Sequence, residues 1–392
     1  MQGQSGPGRR RVVLALGTTQ TFAWASSYYL PAILAVPMAA ELGLSRSWIF
    51  AAFSGALLLT ALLGPLAGRA IDARGGRDVL CLSNLILAAG LVLLGLAQGP
   101  LLLGAGWAVL GVGMAFGLYD AAFATLAGLY GREARGPITG ITLIAGFAST
   151  VGWPASAAME AEIGWRGACL AWAALHLLVA LPLNRLLVPP APPPAPPGTP
   201  EVAAAPAQRG AMALLAFIFA VVGLVSTGMA AHLPRLLQEA GATAAGAVAA
   251  GALIGPAQVA ARLGEFALQR HLRPLSAARL ATLLHPIGAA LLLALGGPAA
   301  AAFAVLHGAG NGMLTIARGT LPLALFGPAG YGLRTGLLAA PARLAQAAAP
   351  LLFGVLLDAW GAGMLLVSAG LGLASLAALL VLRMPRAVTP AR

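Results

Sequence analysis

The stretch "GRAIDARGGR", Gly68 to Arg77, separates two runs dominated by apolar residues, 49–67 and 79–97. As a helix rising ~1.5 Å per residue, each run comes close to the ~30 Å thickness of a bilayer's hydrocarbon layer. Three arginines and an aspartate within ten residues are too costly to bury in that layer, so the stretch marks a turn at a membrane face.

The same alternation extends in both directions through the 392 residues. Hydrophobic residues make up 59% of the chain and charged residues only 9%, against about a quarter charged in soluble proteins. Such a chain has too few charges to coat a soluble core and reads as an all-α integral membrane protein. Twelve spans are predicted, at 12–39, 49–67, 79–97, 101–129, 137–159, 166–187, 211–233, 245–268, 276–296, 299–326, 333–357 and 361–382. The N-terminal Arg9-Arg10-Arg11 resembles the start of a signal peptide, but the run 12–39 is too long for its apolar region and reads as the first membrane helix.

Between the sixth and seventh spans lies "VPPAPPPAPPGTPEVAAAPAQRG". Proline fixes φ and removes the backbone donor, so this segment reads as an extended linker. The predicted organisation is a six-helix bundle over 1–188, a Pro/Ala-rich cytoplasmic linker over 189–210 and a second six-helix bundle over 211–392.

The formal net charge is +12, and all 23 basic residues are arginine. They lie in short clusters between apolar runs, not on a contiguous basic face, which excludes nucleic-acid binding. With the N-terminus inside, seventeen arginines fall on inner ends and loops, and three (Arg46, Arg166 and Arg235) fall outside. That asymmetry places both termini in the cytoplasm, and the expected location is a bacterial inner membrane. Cys81 and Cys169 sit in segments directed to opposite faces, so no disulfide or metal pair is expected.

The two halves match at an offset of 196 residues. Gly68, Arg74 and Arg77 map onto Gly264, Arg270 and Arg273; Thr139, Gly140 and Pro154 map onto Thr335, Gly336 and Pro350. A shared offset of half the chain argues for a duplicated six-span unit, a construction that transporters use to build a midplane substrate site.

Here the chain resembles the major facilitator superfamily (MFS). Gly68, Asp72, Gly75 and Arg77 match its cytoplasmic G-x-x-x-D-(R/K)-x-G-(R/K)-(R/K) signature, whereas Ala73 and Gly76 stand at basic positions. The resemblance implies two six-helix bundles related by a pseudo-twofold repeat, flanking a cavity that opens to alternate sides. It also implies that Gly68, Asp72, Arg74 and Arg77 act in gating. Proton-coupled drug exporters of this superfamily carry an arginine four residues before a G-x-G on the fourth span, where this chain has Trp107 before Gly111-Val-Gly113. They also carry a glycine-proline pair on the fifth span, where Trp153 precedes Pro154. The pattern further resembles the monocarboxylate transporter branch, with an aromatic first helix and a charged eighth. In that branch the eighth-span acid precedes its arginine, whereas here Glu265 follows Arg262.

Charges inside spans are costly and usually face a partner or an aqueous cavity. Five stand out: Asp120, Arg262, Glu265, Arg318 and Arg343. In "HGAGNGMLTIARG", His307, Asn311 and Arg318 fall within about 40° of one another on a helix, and the intervening glycines let a neighbour or a substrate approach. Gln258, Arg262 and Glu265 form a similar stripe at i, i+4 and i+7. Asp120 and Arg318 are candidates for an ion pair, as are Arg262 and Glu265. His285 and His176 read as packing residues. The polar first span offers Gln20, Trp24 and Tyr28 as cavity wall, and Arg343 with Gln346 completes the set.

Three intramembrane arginines against two acids leave one positive charge in excess, and arginine's planar fork suits a carboxylate or oxyanion. The expected protein is a secondary active transporter, not an enzyme, that works as a monomer without cofactor or metal. Its partners are the bilayer, protons and a small organic anion or oxyanion held by Arg318, Arg262, Asn311, His307, Arg343, Gln346, Gln258, Gln20, Trp24 and Tyr28. Glu265 or Asp120 would carry the proton. The rival expectation is an exporter of amphiphilic drugs or toxic metabolites.

Overall fold

The computed structural model describes residues 7–190, 206–269 and 271–383. Most of the linker, together with Arg270, Arg386 and Arg392, lies outside the described residues. Among those residues every regular element is helical.

The first stretch comprises α1 (Pro7–Ala23), a π-helical turn (Trp24–Tyr28) and α2 (Leu30–Leu42); α3 (Arg46–Arg74) and α4 (Gly76–Gly95) follow. Next come α5 (Pro100–Gly117), α6 (Tyr119–Tyr130), α7 (Arg135–Ala145), α8 (Ala148–Leu175), a second π turn (His176–Ala180) and α9 (Leu181–Leu187). Beyond the linker are α10 (Pro206–Glu239), α11 (Ala244–Ala252), α12 (Ile254–Leu268), α13 (Pro274–Leu295), α14 (Ala300–Phe326), α15 (Tyr331–Trp360) and α16 (Met364–Val381). Ser45 and Thr243 cap α3 and α11, their hydroxyls accepting from Trp48 N–H and Gly246 N–H, both at 3.1 Å.

Nine helical stretches among the described residues are long and apolar enough to cross a membrane. Two of them are too long for a single crossing: Pro100–Leu187 has 88 residues and Tyr331–Val381 has 51. Both contain glycines at positive φ, Gly164 (φ 70°) and Gly361 (φ 52°), a backbone region that side-chain-bearing residues rarely adopt. The outward-facing leucines fit a lipid surface; Leu101, for instance, is 90% exposed.

The chain separates into two compact units, Met1–Thr199 with Pro328–Ala347, and Pro200–Gly327 with Ala348–Arg392. The sequence reading cuts the chain once, at the linker; by contacts, the first half of α15 groups with the first unit. Missing side chains explain that grouping. A Cβ on Gly68 would lie 2.0 Å from the Gly332 carbonyl oxygen, and one on Gly336 would lie 2.6 Å from that of Gly64. Lipid supplies no hydrophobic drive between helices, so close backbone approach of this kind carries much of the association.

Within the first unit, Gly106 and Gly113 of α5 sit against Leu94 and Leu87 of α4, and Gly111 sits against the Ala56 backbone of α3. Trp107, Trp172, Leu30, Leu34 and Met38 fill the core. In the second unit, Gly228 of α10 lies under the Phe353 ring, within a core that includes Met229, Leu236, Phe303 and Leu357.

Candidate functional site

Two interruptions shape the polar interior of the first unit. Pro31 lacks the N–H that would bond to the Ser27 carbonyl, so the first helix cannot continue regularly past that point. It widens there into the π turn, with Tyr29 N–H bonding to Trp24 O at 3.0 Å. Turns of this kind recur at functional sites. In the fourth span Leu118 is extended (φ −83°, ψ −172°) and separates α5 from α6. The Gly117 carbonyl left over by that break accepts from Gln20 Nε2 at 2.6 Å. Broken membrane helices are tolerated where such partners re-satisfy the backbone.

The break puts Tyr119 and Asp120 in the first turn of α6, where the helix dipole favours a carboxylate. Asp120 Oδ2 lies 3.5 Å from Arg343 Nη2 of α15; the Arg343 side chain is 2% exposed and that of Asp120 is 23% exposed. The Arg343 guanidinium carbon is 6.0 Å from the Trp24 ring centroid. Trp24 in turn contacts Tyr28 at 5.1 Å, Tyr119 at 5.0 Å and Tyr29 at 6.0 Å. Five expected site residues (Gln20, Trp24, Tyr28, Asp120 and Arg343) thus belong to one neighbourhood, with Gln346 one turn beyond Arg343. The sequence reading offered Arg318 as a partner of Asp120 and did not offer Arg343, whose guanidinium lies 3.5 Å from that carboxylate.

Other expected residues lie in the second unit. Arg262 is 5% exposed and Glu265 4%. The Arg262 Nε–H donates to Gly312 O at 3.2 Å, and its Nη2 reaches Gln258 Oε1 and Thr315 Oγ1, both at 3.4 Å. The glycines of the 307–319 stretch are explained by neighbouring helices. A Cβ on Gly308 or Gly312 would meet the backbone of Ile254 or Gln258 in α12, and one on Gly310 would meet Ala281 O of α13. Arg318 is half-buried on α14.

His307 finds a partner the sequence did not indicate. Ser368 Oγ donates to Leu365 O at 3.1 Å and therefore accepts from His285 Nε2–H at 3.0 Å. The bare His285 Nδ1 then accepts from His307 Nδ1–H at 3.0 Å, an order that holds with both rings neutral. Both histidines and Asn311 line a cavity of ≈ 40 Å³. That is room for roughly three waters. In the first unit His176 is also fully bonded, donating from Nδ1 to Asn84 Oδ1 at 2.9 Å and accepting from Ser26 Oγ at 2.8 Å.

At the 68–77 loop, the Asp72 carboxylate accepts from Gly332 N–H at 2.9 Å and Leu333 N–H at 2.8 Å, at the N-terminus of α15. An anion there satisfies backbone donors that a helix start leaves over. Arg77 turns instead to Asp78 at 3.2 Å, a carboxylate that Arg185 also approaches at 3.8 Å. Arg74, the last residue of α3, is exposed.

Two features escaped sequence reasoning. Tyr119 had no signal beyond being next to Asp120. The break at Leu118 was hinted at only by the glycines of 111–117.

Helices of membrane length that carry buried arginines and acids in their interior mark a multi-pass membrane protein. The chain matches the family model "Major Facilitator Superfamily" over residues 16–304. It belongs to that family of secondary transporters. No curated protein sequence matches it. Among solved structures it is similar to the human organic anion transporter MFSD10 (TETRAN), with a TM-score of 0.69, 17% identity and coverage of 95% of this chain and 100% of that one. It is also similar to the MFS transporter FucP in its outward conformation, with a TM-score of 0.75, 16% identity and coverage of 95% and 99%. At these identities the likeness establishes the fold.

Proposed function

We propose that this protein moves a small organic anion or oxyanion across a bacterial inner membrane by alternating access, together with a proton. The observation that carries the reading is the Asp120–Arg343 pair, with its arginine 2% exposed inside an apolar helix. A guanidinium keeps its charge at any physiological pH, so an acid or an anion must always accompany it. Protonation of Asp120 removes its charge and frees the arginine for a substrate carboxylate. One proton and one monoanion then enter together, and the site's charge is unchanged. Glu265 beside Arg262 is the second candidate proton carrier. Arg318, Arg262, Gln258, Asn311, His307, Gln20, Trp24, Tyr28, Arg343 and Gln346 are the proposed solute contacts.

Twelve spans are the count that fits this reading. The 88-residue stretch would reach about 130 Å as one straight helix, over four bilayer cores, and holds three crossings once it turns back. The 51-residue stretch holds two. Asp72, set against α15, is the proposed cytoplasmic gate contact, with Gly68 allowing the approach and Arg74 and Arg77 at its edge. Both termini are proposed to be cytoplasmic and the protein to act as a monomer.

The test is a thermal-shift screen of purified protein against small organic anions, amphiphilic cations and neutral metabolites. One anion class should stabilise the protein. Arg318→Gln and Arg343→Gln should each remove the shift. Stabilisation by unrelated amphiphiles, indifferent to both substitutions, would replace this reading with an exporter of hydrophobic compounds.

A further inference from the structure

The aromatic residues around Arg343 narrow the class of anion. Phe, Trp and Tyr make up only 6% of the chain, yet eight of their rings form one connected cluster in the first unit. Trp24 and Tyr28 touch at 5.1 Å, and Trp24 and Tyr119 at 5.0 Å; Tyr119 stacks on Phe123 at 5.3 Å with the rings 9° from parallel. Tyr29, Trp153, Phe53 and Trp107 extend the cluster through contacts of 5.4 to 5.9 Å.

This cluster is not uniform core. Trp107 is fully buried, as core packing requires, whereas Trp24, Tyr28, Tyr29 and Tyr119 keep part of their surface open. Trp24 is the open member set beside the charge, with the Arg343 guanidinium carbon 6.0 Å from its ring. Among the described residues, Trp24 Nε1, Gln20 Oε1 and Gln346 Oε1 in this neighbourhood are buried without a hydrogen-bond partner, as is Trp107 Nε1 at the core end of the cluster. Gln20 is 1% exposed, and its amide nitrogen is already committed to the helix break at Gly117. An orphaned buried donor or acceptor is destabilising unless something arrives to meet it. An indole N–H beside a guanidinium is a second donor for a carboxylate, and the amide oxygen accepts from a ligand's N–H or O–H.

We infer that the anion recognised beside Arg343 is an aromatic or heteroaromatic carboxylate, its ring held against Trp24 and Tyr119. The inference rests on the anion reading above and specifies its substrate. A carboxylate bonded directly to a flat ring suits the geometry. When the carboxylate meets an arginine fork at ~2.8 Å, the attached ring extends beyond it by only a few ångströms. It then reaches Trp24 at the ~4.5–7 Å centroid separation that aromatic pairs prefer. An alkyl chain would fill the same space without the ring–ring term.

Equilibrium binding of benzoate and cyclohexanecarboxylate to the purified full-length protein tests this, because the two share charge and approximate size and differ in aromaticity. Benzoate is expected to bind at least fivefold more tightly, a ratio within the ~0.5–1.5 kcal/mol that aromatic pairing supplies. Trp24→Leu should bring that ratio close to one by weakening benzoate alone, and Trp24→Phe should keep most of it. Tyr119→Leu gives the same readout should Trp24→Leu fail to fold. Equal affinity for the two acids, unmoved by Trp24→Leu and Tyr119→Leu, would overturn the aromatic assignment and leave the anion reading standing. Failure of benzoate, cyclohexanecarboxylate, acetate and phosphate alike to bind would overturn both.

Discussion

Arg343→Gln is expected to lower proton-driven anion uptake into proteoliposomes by roughly a hundredfold or more, the loss that removing one member of a buried charge pair produces. The same change should destabilise the fold by about 3 kcal/mol, because it removes one member of a buried charge pair. Asp120→Asn alone should likewise reduce uptake. The double variant, Asp120→Asn with Arg343→Gln, decides what the pair is for. If it is the coupling site, the double variant regains thermal stability and remains inactive. Recovery of both stability and uptake would mean that the pair is a structural contact, and the proposed coupling would fall with it.

The second large effect concerns two glycines one helical turn apart on α3. A Cβ at Gly68 would lie 2.0 Å from the Gly332 carbonyl oxygen, whereas one at Gly64 would meet its nearest atom at 3.6 Å. Gly64→Ala should therefore be nearly silent. Gly68→Ala must push the backbone of α15 away, and overpacking of this kind costs about 1–3 kcal/mol. The displacement also pulls Gly332 N–H and Leu333 N–H from Asp72, two hydrogen bonds to a charged acceptor worth roughly 1.5–3 kcal/mol each. Melting curves and initial uptake rates of the two variants make the comparison. Equal behaviour would show that this helix contact does not govern gating.

Much of the architecture was legible in one dimension. An apolar run long enough to cross a membrane is a local property, and so is the arginine-bearing stretch at 68–77 that holds the turn between α3 and α4. The charges within the spans were legible for the same reason: Asp120, Arg262, Glu265, Arg318 and Arg343 stand out against their neighbours by chemistry alone. The glycines of 307–319 signalled close approach, and the approaching bodies are the backbones of α12 and α13.

The partners were not legible. Periodicity states which residues of a helix share a face but leaves open the rotation of that helix and the neighbour the face meets. Depth matching offered Arg318 to Asp120 and gave no sign of Arg343, which lies more than two hundred residues away along the chain and 3.5 Å from the carboxylate. His307 was assigned to a stripe with Arg318, and it bonds to His285, which had read as packing. The helix break at Leu118 depends on Gln20 arriving from the first helix to take the freed carbonyl, an event with no signature near position 118.

By itself, then, the sequence determined the solvent this protein inhabits, the positions where its helices turn and the small set of ionisable residues placed in lipid. Those follow from transfer energies summed over neighbouring residues. Only the tertiary structure decided which acid meets which arginine, and which rings stand beside them. Side-chain contacts act over a few ångströms, and only folding brings residues distant in the chain within that range.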